Sequence, residues 1–278
     1  MSGELVEIGQ NRGELQADCV NCFGLCCVAL PYAKSADFAF NKDSGSPCKN
    51  LQSDYRCSIH SNLRENGFRG CTVYECFGAG QKISQVTYKG KDWRKNPDIA
   101  NEMFNVFPIM QQLHEMLCYL TEALKMEDAR AIHNDLVKAL EKTEQLTQLS
   151  PQSLLELDVP SHRFIVSDLL LQTSELVRSK VKKDNQPKKM RVSDLVGAKL
   201  RRANLKGSNF RGAFLIAADL READLRTSDF IGADLRDADL SGANLSGSFF
   251  LTQAQINSAN GNSHTILPSS IKVPAHWL

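Results

Sequence analysis

No run of 18 apolar residues occurs in this 278-residue chain, so no membrane-spanning helix is expected. The N-terminus, Met1-Ser-Gly-Glu-Leu-Val-Glu7, has neither a basic start nor an apolar stretch. No secretory signal is expected from it, and the expected location is the cytoplasm. An excess of charge of one sign is also lacking. With 33 Lys and Arg against 32 Asp and Glu the formal net charge is +1, which excludes both a wholesale acidic mimic of nucleic acid and a wholesale basic coat for it. Aromatic residues make up only 7% of the chain, and none is interleaved in the basic run Arg178–Arg191, where seven basic residues face one acid, Asp184. Without rings to stack on bases, that run is read as a solvated linker, and nucleic acid is not expected as a partner. At 42% hydrophobic and 23% charged, the composition is that of an ordinary globular protein, and the length gives room for two domains.

Cysteine, by contrast, is abundant and concentrated. Eight of nine fall within residues 19–76: Cys19, Cys22, Cys26, Cys27, Cys48, Cys57, Cys71 and Cys76. In a reducing compartment such a cluster points to metal ligation or redox work before structural disulfides. The pair Cys19-Val-Asn-Cys22 can turn both sulfurs onto one ion, and Gly24 permits the tight loop this needs. Adjacent Cys26 and Cys27 are expected to point in different directions. All eight are therefore candidate metal ligands, enough for two four-cysteine sites, for an iron–sulfur cluster plus a zinc, or for one cluster with spare thiols. Spacing does not choose between zinc and an iron–sulfur cluster. His60, three residues after Cys57, is read as a surface imidazole and Cys118 as a small buried hydrophobe.

Taken together, Cys19-Val-Asn-Cys22-Phe-Gly-Leu-Cys26-Cys27, Ser46-Pro-Cys48 and Cys57-Ser-Ile-His60 resemble the zinc- or iron-chelating cysteine-cluster family, to which flagellin lysine methylases are related. On that resemblance Cys19, Cys22, Cys26 and Cys27 match the opening motif and Cys48 and Cys57 the downstream pair. Cys71 and Cys76 depart from the family's ending. No Gly-rich loop follows a strand to bind S-adenosylmethionine, so methylase activity is not carried over.

From Asp98 to Lys125 the apolar positions Ile99, Met103, Val106, Phe107, Met110, Leu113, Leu117 and Leu120 keep helical spacing, with a break or kink expected at Pro108. Met103, Met110 and Met116 are read as core, as are His114 and His133. A second helix is expected over 127–149, a start at Ser150-Pro151, and a last helix over 161–183.

Between Ser193 and Thr252 one five-residue unit recurs twelve times, a small residue lying two places before a Leu or Phe. Five fits neither the helical nor the strand period. Phe stands at 210, 230 and 250, each preceded by Ser208, Ser228 or Ser248, so the true period is twenty residues. Four units then make one circuit, twelve make three coils, and one column of the interior is Phe. Three coils would stand about 14 Å tall at strand spacing. The tract resembles the pentapeptide-repeat family, which implies a right-handed quadrilateral β-helix, and the tail from Leu251 through Trp277 resembles its C-terminal cap. The helices of residues 98–183 are expected to pack on the cysteine module and to cover the first coil.

Stacking at twenty residues predicts Lys199 over Asp219 and Asp239, and Arg202 over Glu222. Phe214, Ile216, Ile231, Phe249 and Leu251 are expected to face outward, as a surface for the helices, for a protein partner or for a second copy. The expected architecture is thus multidomain: a cysteine-rich metal-binding module (1–97), an α-helical connector (98–184) and a solenoid with its cap (185–278). The function expected is a metal-binding scaffold acting in binding or in redox or metal sensing. No catalytic residue is assigned, because nothing in the repeat brings together an acid, a base and a nucleophile. An enzyme built on the metal centre, modifying a protein for example, is the alternative. A topoisomerase-binding mimic of DNA is disfavoured by the +4 charge of the first coil.

Overall fold

In the computed structural model residues 15–181 and 194–278 are described. The chain forms two compact units, one from the residues up to Lys125 with Ile132–Leu170, the other from Met126–Ala131 with Leu171–Leu278. Ser193 and the basic run beyond residue 181 lie outside the described residues.

In the first unit the cysteine region is mostly loops, with helices α1 (Leu25–Ala29), α2 (Arg69–Thr72) and α3 (Ala79–Gln81), the last continuing into a π-helical turn over Lys82–Thr87. Two antiparallel bridges, Tyr32 with Lys42 and Leu51 with Cys57, tie the loops. Helix α4 spans Pro97–Leu124 and packs on α1, α3, α5 (His133–Thr147) and α6 (Pro151–Leu155). It continues through Pro108, so the break, one of the two outcomes expected there, does not occur. The ring removes one N–H from the ladder, yet Phe104, Val106, Phe107 and Met110 around it are all buried, and that packing outweighs the lost bond. Met103, Met110, Met116 and His114 are buried along the same helix, while Cys118 is only partly buried. Ser150 caps α6 by accepting from the Ser153 N–H with Pro151 in the first turn. Helix α7 begins at Val159, so Pro160 sits inside its first turn rather than before it, and it ends at Ser179.

The second unit is built on a backbone ladder with a stride of twenty. Parallel bridges join Asp194 to Phe214, Lys199 to Asp219, Asn204 to Asp224 and Asn209 to Asp229, and repeat one coil on as far as Phe249. Each is an isolated bridge rather than part of an extended strand, because the chain turns after every five residues. At most corners an i+3 N–H bonds back to the Leu or Phe carbonyl, as from Ala198 to Leu195 and Ser208 to Leu205. The third residue of the turn has positive φ, in the manner of a type II turn. That position is Gly at 197, 207, 212, 232, 242 and 247, but Arg202, Ala217, Glu222, Thr227 and Asp237 adopt it too.

Inside, Leu215, Leu220, Leu225, Leu235, Leu240 and Leu245 are buried, with Phe210, Phe230 and Phe250 fully enclosed. The Phe210 and Phe230 rings stack at 5.1 Å. The serines before them have a task that the repeat pattern did not reveal. Ser228 Oγ donates to the Leu205 carbonyl at 3.0 Å and Ser248 Oγ to Leu225 at 2.9 Å, so each buried hydroxyl finds its partner one coil back and adds a side-chain bond between successive coils. Thr265 makes the same bond to Leu240. The tail closes the column. Thr252 forms a capping box with Gln255 at the start of α8 (Gln253–Ser258), after which Asn260 and Ile266 pair with Asp239 and Asn244, the stride lengthening to 21 and then 22 residues. Trp277 covers the end with its ring against Gly261 and its indole N–H on the Ala259 carbonyl.

Arg202 does pair with Glu222, at 2.7 Å, and Arg201 joins it on the same carboxylate. Asp219 lies under Lys199 on the backbone ladder, but its carboxylate takes Arg221 at 2.6 Å, since a side chain two residues away reaches it with less ordering than one a coil away. Of the expected outward apolar residues, Phe214 is exposed and Ile216 and Ile231 are half-buried, whereas Phe249 and Leu251 are buried. The last part of α7 reaches this side of the solenoid. Ser174 hydrogen-bonds Asp229, Arg178 lies close enough to attract it, and burial still pushes the Asp229 carboxyl above its usual range. Val181 packs at Gly207. The helix therefore meets the first and second coils along the side carrying Asn209, Asp229 and Phe249, not the first coil alone.

Thr227 is a β-branched residue at φ 57°, which costs an L-residue about 1–2 kcal/mol relative to glycine. Thr227→Gly is expected to stabilise the protein by about 1 kcal/mol, read as a higher urea midpoint with an unchanged slope. Phe230→Ala is expected to cost about 3–5 kcal/mol by the same measurement, since it empties the centre of a ring stack that cannot collapse inward.

Candidate functional site

The segment carrying the first cysteines is clamped at several points. The Phe23 N–H donates to Ser84 Oγ at 3.1 Å, the Asp18 N–H to Gln81 Oε1 at 3.2 Å, Gln85 Nε2 to the Asn21 carbonyl at 2.8 Å and Trp93 Nε1 to the Phe23 carbonyl at 2.8 Å. The Cys19–Cys22 loop is thus held by Gln81 at the end of α3, by Ser84 and Gln85 on the π-helical turn and by Trp93 beyond it. Gly24, at φ 63°, lets the chain enter α1, where Cys26 and Cys27 sit.

All nine cysteines are free thiols. Cys48 is buried, Cys22, Cys26, Cys27, Cys57 and Cys76 are half-buried, and Cys19 and Cys71 are exposed. Backbone amides point at several of the sulfurs: Leu25 and Gly24 at Cys22, Gly78 and Gly80 at Cys76, Ile59 at Cys57, and Asn50 at Cys48 at 3.5 Å. Such donors stabilise a thiolate. Gly80 serves twice, since its Cα also abuts Cys22; a Cβ there would stand 2.6 Å from the sulfur.

Which sulfurs feel one another divides them. Cys22 feels Cys76 and Cys19, and Cys26 feels Cys27, Cys22 and Cys76. Cys57 feels Cys27 and Cys48, while Cys71 feels Cys27, Cys48 and Cys57. Cys19 reaches toward both sets, feeling Cys27 and Cys57 and being felt by Cys22 and Cys76. The sets meet at the adjacent pair. Cys26 and Cys27 were expected to point apart, yet their sulfurs lie 4.0 Å from each other, close to the roughly 3.8 Å that 2.3 Å bonds impose on two sulfurs around one tetrahedral zinc.

Burial dominates the acidities. It pushes the Cys22 and Cys71 thiols up to about 12 and raises Cys19, Cys57 and Cys76 as well. Cys26 is raised by its hydrogen bond to Cys27 and by burial, whereas Cys27 is lowered by that same bond and by the field of Lys42. The thiols that burial raises hold their protons more tightly than a free cysteine does, and a bound metal is what would draw them off.

Among the described residues no three His, Cys, Asp or Glu side chains stand converged as a ready-made ion site. What fits a thiophilic metal is the chemistry of the donor set: unoxidised sulfurs with backbone amides aimed at several of them. Lys42 was missed in the sequence. Its charged end is buried and donates to the carbonyls of Val28 at 3.0 Å, Ser46 at 3.1 Å and Asp43 at 3.3 Å. Tyr32, also missed, donates its hydroxyl to Cys48 Sγ at 3.3 Å. Neither lies beside a cysteine in the chain, so nothing local marked them. His60 is exposed and opens a short 3-10 turn.

A family model described as pentapeptide repeats matches residues 193–230 and 215–247 in eight copies. The uncharacterized protein YybG of Bacillus subtilis (strain 168) is 64% identical over 278 residues, which is 100% of this chain and 100% of that protein. Solved structures were also matched, among them three chains. QnrB1, a plasmid-mediated fluoroquinolone resistance protein, is 17% identical with a TM-score of 0.20, the match covering 30% of this chain and 36% of that one. A pentapeptide repeat protein from the Arabidopsis thaliana thylakoid lumen is 30% identical with a TM-score of 0.16, over 30% and 64% of the two chains. HetL of Nostoc sp. strain PCC 7120, involved in heterocyst differentiation regulation, is 31% identical with a TM-score of 0.15, over 26% and 44%. This chain spans less than two thirds of those three structures, and at such TM-scores the likeness carries no argument. The relationship to YybG extends over the whole chain: this protein belongs to the YybG family, and its C-terminal region is a tract of pentapeptide repeats.

Proposed function

We propose that this protein is a metal-binding scaffold, in which the cysteine region holds zinc or an iron–sulfur cluster and the solenoid offers a surface to a protein partner. The observation that carries the reading is the set of eight free thiols within residues 19–76, four of them facing backbone N–H donors. Zinc bound there would cross-link loops that have few strands or helices of their own, and an iron–sulfur cluster would add electron exchange. The protein's part is to hold the sulfurs by the clamps from Gln81, Ser84 and Gln85 and to stabilise their charge with amides. A reducing compartment such as the cytoplasm would keep the thiols available. Among the described residues no helix is long and apolar enough to cross a membrane.

Exposed Phe214 and Val196, with half-buried Ile216 and Ile231, are the apolar residues of the solenoid through which a partner or a second copy would dock. Mimicry of nucleic acid is not favoured. Asp219, Asp224 and Asp234 are each bound by an Arg two residues on, at 2.6–2.7 Å, so these acids do not form an unneutralised face.

Protein purified without oxygen is expected to carry zinc or iron by elemental analysis, and removing it with a chelator to lower the thermal midpoint. A metal-free protein that keeps its midpoint and takes up neither metal would overturn the proposal. Gly80→Ala places a methyl against the Cys22 sulfur, and it is expected to lower the metal content per chain.

A further inference from the structure

We infer that Cys26 and Cys27 form a two-thiol binding site for trivalent organoarsenic compounds, a ligand class apart from zinc and iron. The inference goes beyond the metal-binding reading and does not depend on it. What carries it is the placing of two sulfurs from neighbouring residues. Successive side chains on a helix do not face one another, yet Cys26 Sγ and Cys27 Sγ stand 4.0 Å apart. Both are free thiols, and both are half-buried.

The backbone holds the pair in this arrangement. Gly24, at φ 63°, delivers the chain into α1. The Cys27 N–H donates to the Gly24 carbonyl at 2.9 Å, and the Cys27 carbonyl accepts from the Cys48 N–H at 2.9 Å. Leu25 and Val28, which flank the pair in the chain, are fully buried, and the Val28 carbonyl accepts from Lys42 Nζ at 3.0 Å. A disulfide brings its sulfurs to about 2.05 Å. Between neighbours tied in this way, that closure costs the bonds just named. One atom between the sulfurs closes the gap without moving the backbone: two bonds of about 2.3 Å, the zinc–thiolate length, span up to about 4.6 Å.

Donor count and charge decide which atom fits. Among the described residues no three His, Cys, Asp or Glu side chains converge as an ion site, so the pair offers two donors and no more. Trivalent arsenic carrying one organic group has two positions to exchange, and it is neutral once both hold sulfur. A neutral product suits a half-buried site, where an uncompensated charge would be costly. Thiolates are also the ligands that soft centres select. In the step itself the As=O group meets both thiols. Two S–H bonds break, two As–S bonds form, and the oxygen leaves as water with the two protons. Arsenic stays trivalent and neither sulfur is oxidised. Because the second bond forms within the molecule, the pair holds the arsenical far more tightly than a single thiol does.

The test uses the full chain in reduced form, before and after treatment with a chelator, and phenylarsine oxide as the probe. After chelation, intact mass is expected to show one equivalent bound with loss of water, and alkylation mapping to show Cys26 and Cys27 protected. Cys26→Ser and Cys27→Ser are each expected to weaken binding about a hundredfold, whereas Cys118→Ser leaves it unchanged. A small dithiol in excess is expected to strip the arsenical and free both sulfurs. The mapping is made on the wild type and decides the matter even where a variant fails to fold. No adduct, protection of other cysteines in place of this pair, or serine variants that bind as tightly as the wild type would overturn the inference. Zinc and iron measured in the untreated samples separate the two readings. Protein that takes the arsenical but carries neither metal overturns the metal-binding reading alone, and protein that carries metal but takes no arsenical overturns this inference alone.

Discussion

The backbone ladder at twenty-residue intervals is the constraint on which the solenoid depends. Each N–H and C=O that faces the next coil is satisfied only if every corner turns in five residues, and the corner turns in five only if its third residue accepts positive φ. Burial then follows from the ladder rather than producing it. Once the rungs are in register, one large side chain per face points inward over another, and the Phe column, the Leu columns and the serines beneath the rings fall into place. A shift of one residue would turn every Leu outward, so the ladder and the core enforce each other.

The cysteine region is organised on the opposite principle. It has short helices, two single bridges and aromatic contacts such as the Tyr32–Phe38 stack, with much less repeated backbone pairing. Its order comes from specific side-chain clamps, and it encloses groups that are costly to bury: thiols made weaker acids by burial and an ammonium held by carbonyls. A region built this way gains from a ligand that satisfies several of those groups at once, which is the physical sense of joining such a module to a scaffold stable by repetition.

Much of this was legible in the chain. The Phe spacing at 210, 230 and 250 gave the stride, and the tail was recognisable as a cap; Arg202 over Glu222 followed from the stride alone. The failures have physical causes. Pro108 reads as a break or a kink, and the helix does not break there because the buried face around it holds the segment where local rules count only one lost hydrogen bond. Phe249 and Leu251 read as outward, as the ladder alone would place them, but both are buried on the folded solenoid, where the end of α7 lies along the side carrying Phe249. Asp219 takes Arg221 rather than Lys199 because side-chain reach, not stacking, decides a surface pair. The serine hydroxyls looked like mere small residues until the carbonyls they donate to were in view.

What the sequence determined by itself is whatever repeats or clusters along it: the pentapeptide solenoid, its Phe column, and the eight cysteines as candidate ligands. Periodicity is a local property, and twelve copies of one pattern leave little freedom in how they fold. Tertiary structure alone decided which sulfurs neighbour which, that Lys42 and Tyr32 stand beside them, and that Ser174 and Arg178 meet Asp229. Those relations join residues far apart in the chain through irregular loops, and only the folded packing states them.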